Sequence, residues 1–205
     1  MRIPLLASFI VFVIWLSYEI KKSNRSVTQQ EKSFWEKERQ ANLTRKKSLK
    51  DLAYITIPLD TLPMDVCSEE DNIKECLHII HALSGQTIVN LTGYSNTELK
   101  LMYGAPNITV LMDYDQNYTL LARTLQSWAS LLYEKNLIEE ARSVLEFAVS
   151  THTDVSGTYK LLSHIYRSNG QSEKISELLQ TAQTLHSASK DTIVRILQQS
   201  DLSDD

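Results

Sequence analysis

The fold is decided by ARTLQSWASLLYEKNLIEEARSVLEFAVSTHTDV, residues 122–155, and by the segment after it, SGTYKLLSHIYRSNGQSEKISELLQTAQTLHSAS, residues 156–189. A shift that places Ala122 on Ser156 superimposes the two segments and aligns apolar or small residues at helical spacing. The aligned pairs are Leu125 with Tyr159, Trp128 with Leu162, Ala129 with Ser163, Leu132 with Tyr166, Asn136 with Gly170, Ala141 with Ile175, Leu145 with Leu179, and Ala148 with Ala182. Each segment therefore predicts two antiparallel helices joined near its Asn or Gly.

The packing of two helices against each other explains why the pattern contains both small and large residues. Ala129, Ala141 and Ala148 let two helices approach closely, and Trp128 and Leu145 fill the space between them. Such a unit cannot bury its apolar face alone, and roughly three units are normally needed. A further shift of 34 residues toward the N-terminus keeps only part of the pattern, so a third complete unit is not predicted. We therefore expect helices over residues 68–118 and 191–199 to cap the two ends of the repeat pair.

The period of about 34 residues is the tetratricopeptide spacing. Residues 122–189 resemble that repeat family in the pair Trp128-Ala129, in the turn at Asn136, and in Ala141, Leu145 and Ala148, whereas Thr153 and Ser187 stand where the family usually has Pro. The resemblance implies a mainly α domain over residues 119–200 that binds other proteins on a concave surface. The alternative is two ordinary helical hairpins with an accidental period.

The resemblance also implies a set of partner-binding residues on the first helix of each unit. They are Arg123, Gln126, Ser130 and Tyr133 in the first unit, and Lys160, His164 and Arg167 in the second. Three of them are basic within an acidic domain, so an acidic peptide or a C-terminal carboxylate is the expected partner. The alternative is that these side chains form an ordinary solvated surface.

An apolar stretch at the N-terminus, residues 3–16, predicts a transmembrane anchor over residues 1–20. Trp15 and Tyr18 suit the membrane interface. A cleaved signal peptide would need small residues at its exit, but Trp15, Leu16, Tyr18 and Ile20 occupy that region. The sequence therefore favours an uncleaved, single-pass anchor in the cell membrane.

Charge divides the chain into a basic and an acidic part. Residues 1–50 carry 11 Lys and Arg against 4 Asp and Glu, whereas residues 51–205 carry 10 against 21. Basic residues after the span favour a cytoplasmic body, although five glycosylation sequons leave a secreted topology open. The acidic body argues against nucleic acid as a partner.

The remaining segments predict a chain of smaller elements. Residues 21–50 are predicted to form a basic polar stem that is helical over residues 27–50. Residues 51–67 are predicted to form an extended connector, and residues 201–205 an acidic tail. A helix is expected to begin at Ser68 and to stop at a left-handed Gly85. Another is expected from Ser95 or Asn96 to Gly104, and residues 107–115 suit a third helix or a strand.

Catalytic and cofactor motifs are absent from the sequence, so no cofactor is expected and the chain is interpreted as a non-enzyme. Cys67 and Cys76 lie too far apart along one helix for a disulfide and are expected to be free thiols. Glu75, His78 and His81 share one helical side. They would form the site of the alternative function, a membrane-anchored enzyme. The simpler interpretation is that His78 and His81 are ordinary half-buried histidines.

The whole chain also resembles single-span membrane proteins of Clostridia-type bacteria that have no assigned activity. The segments that carry this resemblance are FWEKE at residues 34–38, RKK at 45–47, YITIPL at 54–59 and YDQN at 114–117. It implies a bacterial membrane location. The resulting hypothesis is a membrane-tethered helical-repeat module that binds an acidic protein or peptide.

Overall fold

The computed structural model describes the backbone of residues 3–201, without the side chains of residues 3–7, 23–28, 30 and 200–201. Within these limits the protein is mainly α-helical and has no β-strand, which confirms the prediction of a mainly α fold. The helices are α1 (Ile3–Asn42), α2 (Asp71–Ser84), α3 (Asn96–Tyr103), α4 (Ile108–Glu134), α5 (Ile138–Ser150), α6 (Ser156–Ser168), α7 (Ser172–Gln183) and α8 (Lys190–Asp201), with a 3-10 turn at Ala105–Asn107.

The chain divides into two compact units. The first unit contains Met1–Lys47 and Asn96–Asn107, and the second contains Ser48–Ser95 and Ile108–Asp205. The acidic tail predicted for residues 201–205 lies almost entirely outside the described residues, as does the start of the predicted anchor.

In the first unit, α1 is one helix of 40 residues that joins the predicted anchor to the predicted stem. After Pro4 its sequence contains no Gly or Pro to interrupt it. The prediction that the stem helix reaches Lys50 was wrong, because α1 ends at Asn42. The chain then turns toward the end of α3, where the Ala105 amide donates to the Thr44 carbonyl at 3.1 Å and the Lys47 amide donates to the Tyr103 carbonyl at 3.0 Å.

The apolar part of α1 is exposed along its length within the described residues. Every side chain from Phe9 to Leu16 is exposed, with fractions between 41 % and 65 %. Among the helices whose residues the structure describes, none combines the length and the apolar character that crossing a membrane requires.

A polar contact fixes α1 against α3 in the first unit. The Glu38 carboxylate pairs with Lys100 and accepts a hydrogen bond from the Thr97 hydroxyl at 2.6 Å, while Ala41 is fully buried one turn further on. The hydrogen bond from Lys100 is the main cause that lowers the pKa of Glu38 below its ordinary value of 4.5, and Thr97 adds to it. This cluster therefore favours the ionised carboxylate.

In the second unit, α4 is the central helix. It packs against α2, α5 and α6, and α8 packs against α6 and α7. The helix expected over residues 107–115 is present from Ile108, and the strand considered as its alternative was wrong. The helix is not a separate element, because from Ile108 to Glu134 the chain forms a single helix of 27 residues. No Gly or Pro occurs in this range, and Leu111, Tyr118 and Leu121 add to its buried face.

The two segments that the sequence shift superimposes form helical hairpins with matching turns. Asn136, between α4 and α5, has φ 62°, and Gly170, between α6 and α7, has φ 66°. Each turn is closed by an amide of the next residue, from Leu137 to the Leu132 carbonyl at 3.0 Å and from Gln171 to the Tyr166 carbonyl at 2.8 Å. These left-handed positions suit Asn and Gly. The resemblance to tetratricopeptide repeats stays a prediction.

Local details of the capping region differ from the predictions. The helix expected from Ser68 begins at Asp71, and Gly85 at its end has φ −90° instead of a left-handed conformation. In the connector, Tyr54 forms an isolated antiparallel bridge with Val89. Cys67 and Cys76 are free thiols, as expected, and burial raises the pKa of Cys76.

The core of the second unit predicts the effect of removing its largest side chain. Trp128 is fully buried, so Trp128→Ala should lower the free energy of unfolding by about 3 to 5 kcal/mol. Urea unfolding of the full chain in a non-ionic detergent, followed by circular dichroism, measures this loss. Trp35 is 66 % exposed, and Trp35→Ala is the matched control with an expected change within about 0.5 kcal/mol. Equal effects of the two substitutions would contradict the packing described above.

The Glu38 cluster predicts a pH dependence in the first unit. Because its pKa is lowered in the folded state, the cluster stabilises the contact of α1 with α3 above pH 4.5 and loses this effect as the pH falls through the folded-state value. Glu38→Gln should increase amide hydrogen exchange in α3 at pH 7 and change it little at pH 3. Glu36→Gln is the control, since Glu36 is exposed and pairs only with Arg39 at 3.7 Å among the described ion pairs. Protection of α3 that is the same in both variants at pH 7 would refute the role of Glu38.

Candidate functional site

The side of α4 that faces α6 contains several of the predicted binding residues. The Gln126 amide donates to the Ser130 hydroxyl at 3.1 Å, and its carbonyl oxygen accepts from Thr158 of α6 at 2.8 Å. A Cβ atom on Gly157 would lie only 3.1 Å from the Gln126 amide nitrogen, so the glycine gives this side chain room. The contact therefore fixes Gln126 between the two helices.

About two turns further along, aromatic rings join the same two helices. The Tyr133 and His164 rings meet edge to face with 6.0 Å between their centroids. His164 and Lys160 are exposed, and Arg167 is half-buried. The structure thus brings Gln126, Tyr133 and His164 together along the contact of α4 with α6, with Lys160 on the exposed surface of α6. We call this set, with Ser130 and Arg167, the α4–α6 surface.

Arg123 lies elsewhere. It lines a surface groove of about 460 Å³ between α2 and α4, together with Glu75, Cys76 and Ser127. Residues 123, 127 and 131 share this side of α4, whereas residues 126, 130 and 133 face α6. The sequence-derived site is therefore divided between two sides of one helix, because α2 occupies the side of α4 that Arg123 faces.

The residues of the alternative enzyme site do not gather into a pocket. Glu75 lines the groove beside Arg123, but His78 and His81 are exposed on α2 and do not line it. Within the described part of the chain, no group of three His, Cys, Asp or Glu side chains is placed to hold a metal ion. No described geometry supports joint chemistry by these three side chains.

One cavity of the second unit was not predicted from the sequence. It has a volume of about 560 Å³ and is lined by four segments: the connector at residues 53–55, the loop at 90–94, and the turns that follow α5 and α7. We call it the turn cavity. Its ionisable lining residues are Tyr54, Tyr94, His152, Asp154 and His186.

Hydrogen bonds hold the walls of the turn cavity in place. The Asn90 amide donates to the carbonyls of Thr151 and His152 at 2.9 and 3.0 Å. The Tyr118 hydroxyl donates to the same Thr151 carbonyl at 3.2 Å, and burial raises the pKa of Tyr118 to about 12, so it stays a neutral donor. His152 itself has φ 56°, a conformation that is uncommon outside glycine. The loop after α2 therefore fixes the turn after α5.

The sequence shift relates two residues that line the turn cavity. The shift that aligns the two hairpins also places His152 on His186, and both line the cavity. The other walls come from segments that lie far away in sequence and have no motif. Periodicity therefore indicates the two histidines but gives no indication of the cavity between them.

No protein-family model matches the chain, and neither the curated proteins nor the solved structures include a match.

Proposed function

We propose that this protein is a membrane-tethered module that binds an acidic segment of a partner protein on the α4–α6 surface. The observation that carries the proposal is the row formed by Gln126, Tyr133, His164 and Lys160 along the contact of α4 with α6. The tetratricopeptide-like period supports it, because repeats of this kind bind peptides along the first helices of their units.

The chemistry of the α4–α6 surface suits an extended acidic peptide. Gln126 and Ser130 offer polar atoms to a peptide backbone, and the exposed Lys160 offers positive charge to a carboxylate. Arg167, which is half-buried, adds positive potential to the same side of α6. Gln126 is already held by Thr158 and Ser130, so little of its side-chain freedom is lost on binding. Arg123 is left out of this binding surface, since it faces α2.

The proposed tether is the apolar part of α1. A helix with apolar side chains on every side needs either a protein core or a lipid environment. Residues 9–16 are exposed on every side of α1, which supports burial in lipid, and the basic residues after them favour a body on the cytoplasmic side. The function as an interaction module, and not as an enzyme, is part of the same proposal.

Charge reversal on α6 tests the proposed binding surface. The probe is a fluorescein-labelled decapeptide of alternating Glu and Leu with a free C-terminal carboxylate, titrated into the full chain in a non-ionic detergent. Lys160→Glu should weaken binding about ten-fold, and the double variant with Arg167→Glu should abolish it. Fluorescence anisotropy measures the affinity, which should also fall with added salt.

The matched control reverses a charge outside the surface. Lys74 is exposed on α2, and Lys74→Glu should leave the affinity within about two-fold. A decapeptide with Gln in place of Glu should bind at least ten-fold more weakly. Circular dichroism checks that each variant keeps its helices. Equal affinity of the two folded α6 variants and the control variant would eliminate the α4–α6 surface as the binding site.

The tether predicts a separate result in cell fractionation. The full chain should stay with membranes after a wash in 1 M salt, because burial of apolar side chains does not depend on screened charges. A chain without residues 1–20 should be released by the same wash. Release of the full chain by salt alone would show that only the basic residues attach it.

A further inference from the structure

The turn cavity has features that the α4–α6 surface does not use, and the two share no residue. Two helices end at it: α5 stops at Ser150 and α7 stops at Gln183, and the residues that follow them line the cavity. The last carbonyl groups of a helix lack partners within the helix and carry a partial negative charge. Turn amides and the Thr151 and Thr184 hydroxyls donate to some of these carbonyls, and the aligned peptide dipoles of the two helices add a partial negative charge at their ends.

A carboxylate strengthens this negative potential. Asp154 is half-buried and lines the cavity next to the turn after α5. Its charge contributes to the raised pKa values of Asp115, Tyr118 and Tyr159, although burial is the first cause for each. None of the lining residues that the structure describes is Lys or Arg, so no described positive group of the lining neutralises Asp154 there.

Aromatic rings also line the turn cavity and can attract a cation. Tyr54 and Tyr94 line the cavity and are each a little under half exposed, at 46 % and 44 %. The His186 ring lies beside Tyr94, with 6.5 Å between the centroids and a tilt of 36°. The face of a tyrosine ring attracts a cation within about 6 Å of its centroid.

The site is also held in shape before any ligand arrives. Asn90 binds the backbone of the α5 turn, as described above, and Gly93 packs tightly on the turn after α7. A Cβ atom on Gly93, at φ 93°, would collide with the carbonyl of His186. A wall that is already ordered loses little entropy on binding.

We propose that the turn cavity binds a small organic cation that has a guanidinium or primary ammonium head and a short apolar chain. The head lies between Asp154 and the ring of Tyr94, and the ends of α5 and α7 add to its attraction. An anion would find no Lys or Arg in the described lining, and a metal ion would find no group of three ligands among the described residues. A volume of about 560 Å³ is within the range of small-molecule sites.

Titration with n-butylguanidinium tests this assignment. The full chain in a non-ionic detergent should bind it saturably, with shifts in the NMR resonances of the Tyr94 and His186 rings. Asp154→Asn keeps the shape of the side chain and should weaken binding about ten-fold. Tyr94→Leu keeps an apolar side chain without the ring face and should weaken binding about two- to thirty-fold.

Two controls make the result decisive. Asp113→Asn removes an exposed carboxylate of α4 outside the cavity and should leave the affinity unchanged. Hexanoate, which has a similar chain and a negative head, should not bind. The proposal is overturned if hexanoate binds as well as n-butylguanidinium. It is also overturned if Tyr94→Leu and a folded Asp154→Asn both bind n-butylguanidinium as the unmodified chain does.

Discussion

Burial of the apolar faces of α4 is the interaction on which the second unit depends. Leu121, Leu125, Trp128 and Leu132 are all fully buried, and α4 contacts α2, α5 and α6. Short amphipathic helices are marginal in isolation, so each of these neighbours needs the surface that α4 offers. The indole nitrogen of Trp128 has no hydrogen-bond partner among the described residues, which costs about 1 to 3 kcal/mol.

α4 also separates the groove beside α2 from the α4–α6 surface. One side of α4 meets α2 in a groove that contains Arg123 and Glu75, and the other meets α6 through Gln126 and Tyr133. The turn cavity lies where α5 and α7 end, and its lining includes none of these residues. Basic groups accompany the proposed peptide surface, whereas the turn cavity has a carboxylate and two helix ends. Ligands of opposite charge would therefore be directed to different places.

The sequence predicted the features that depend on local spacing. The turns at Asn136 and Gly170 could be predicted because a left-handed turn favours Asn and Gly, and the burial of Trp128 followed from helical periodicity. Features that depend on distant contacts could not be predicted. The end of α1 at Asn42 accompanies hydrogen bonds that join residues 44 and 47 with residues 101–105, and the turn cavity is formed by four segments that are distant in sequence. The full length of α4 was not predicted, although residues 108–134 contain no Gly or Pro.

The continuity of α1 has a geometric consequence for the first unit. A helix turns by about 100° per residue, so the backbone between Ile20 and Glu38 fixes the direction in which Glu38 and Ala41 point relative to the apolar residues 9–16. One added residue in this interval would rotate the α3-facing side by more than a quarter of a turn. An addition of about seven residues, which is close to two full turns, would lengthen the helix and nearly restore the direction. The length of the stem is thus free to vary only in steps that preserve helical phase.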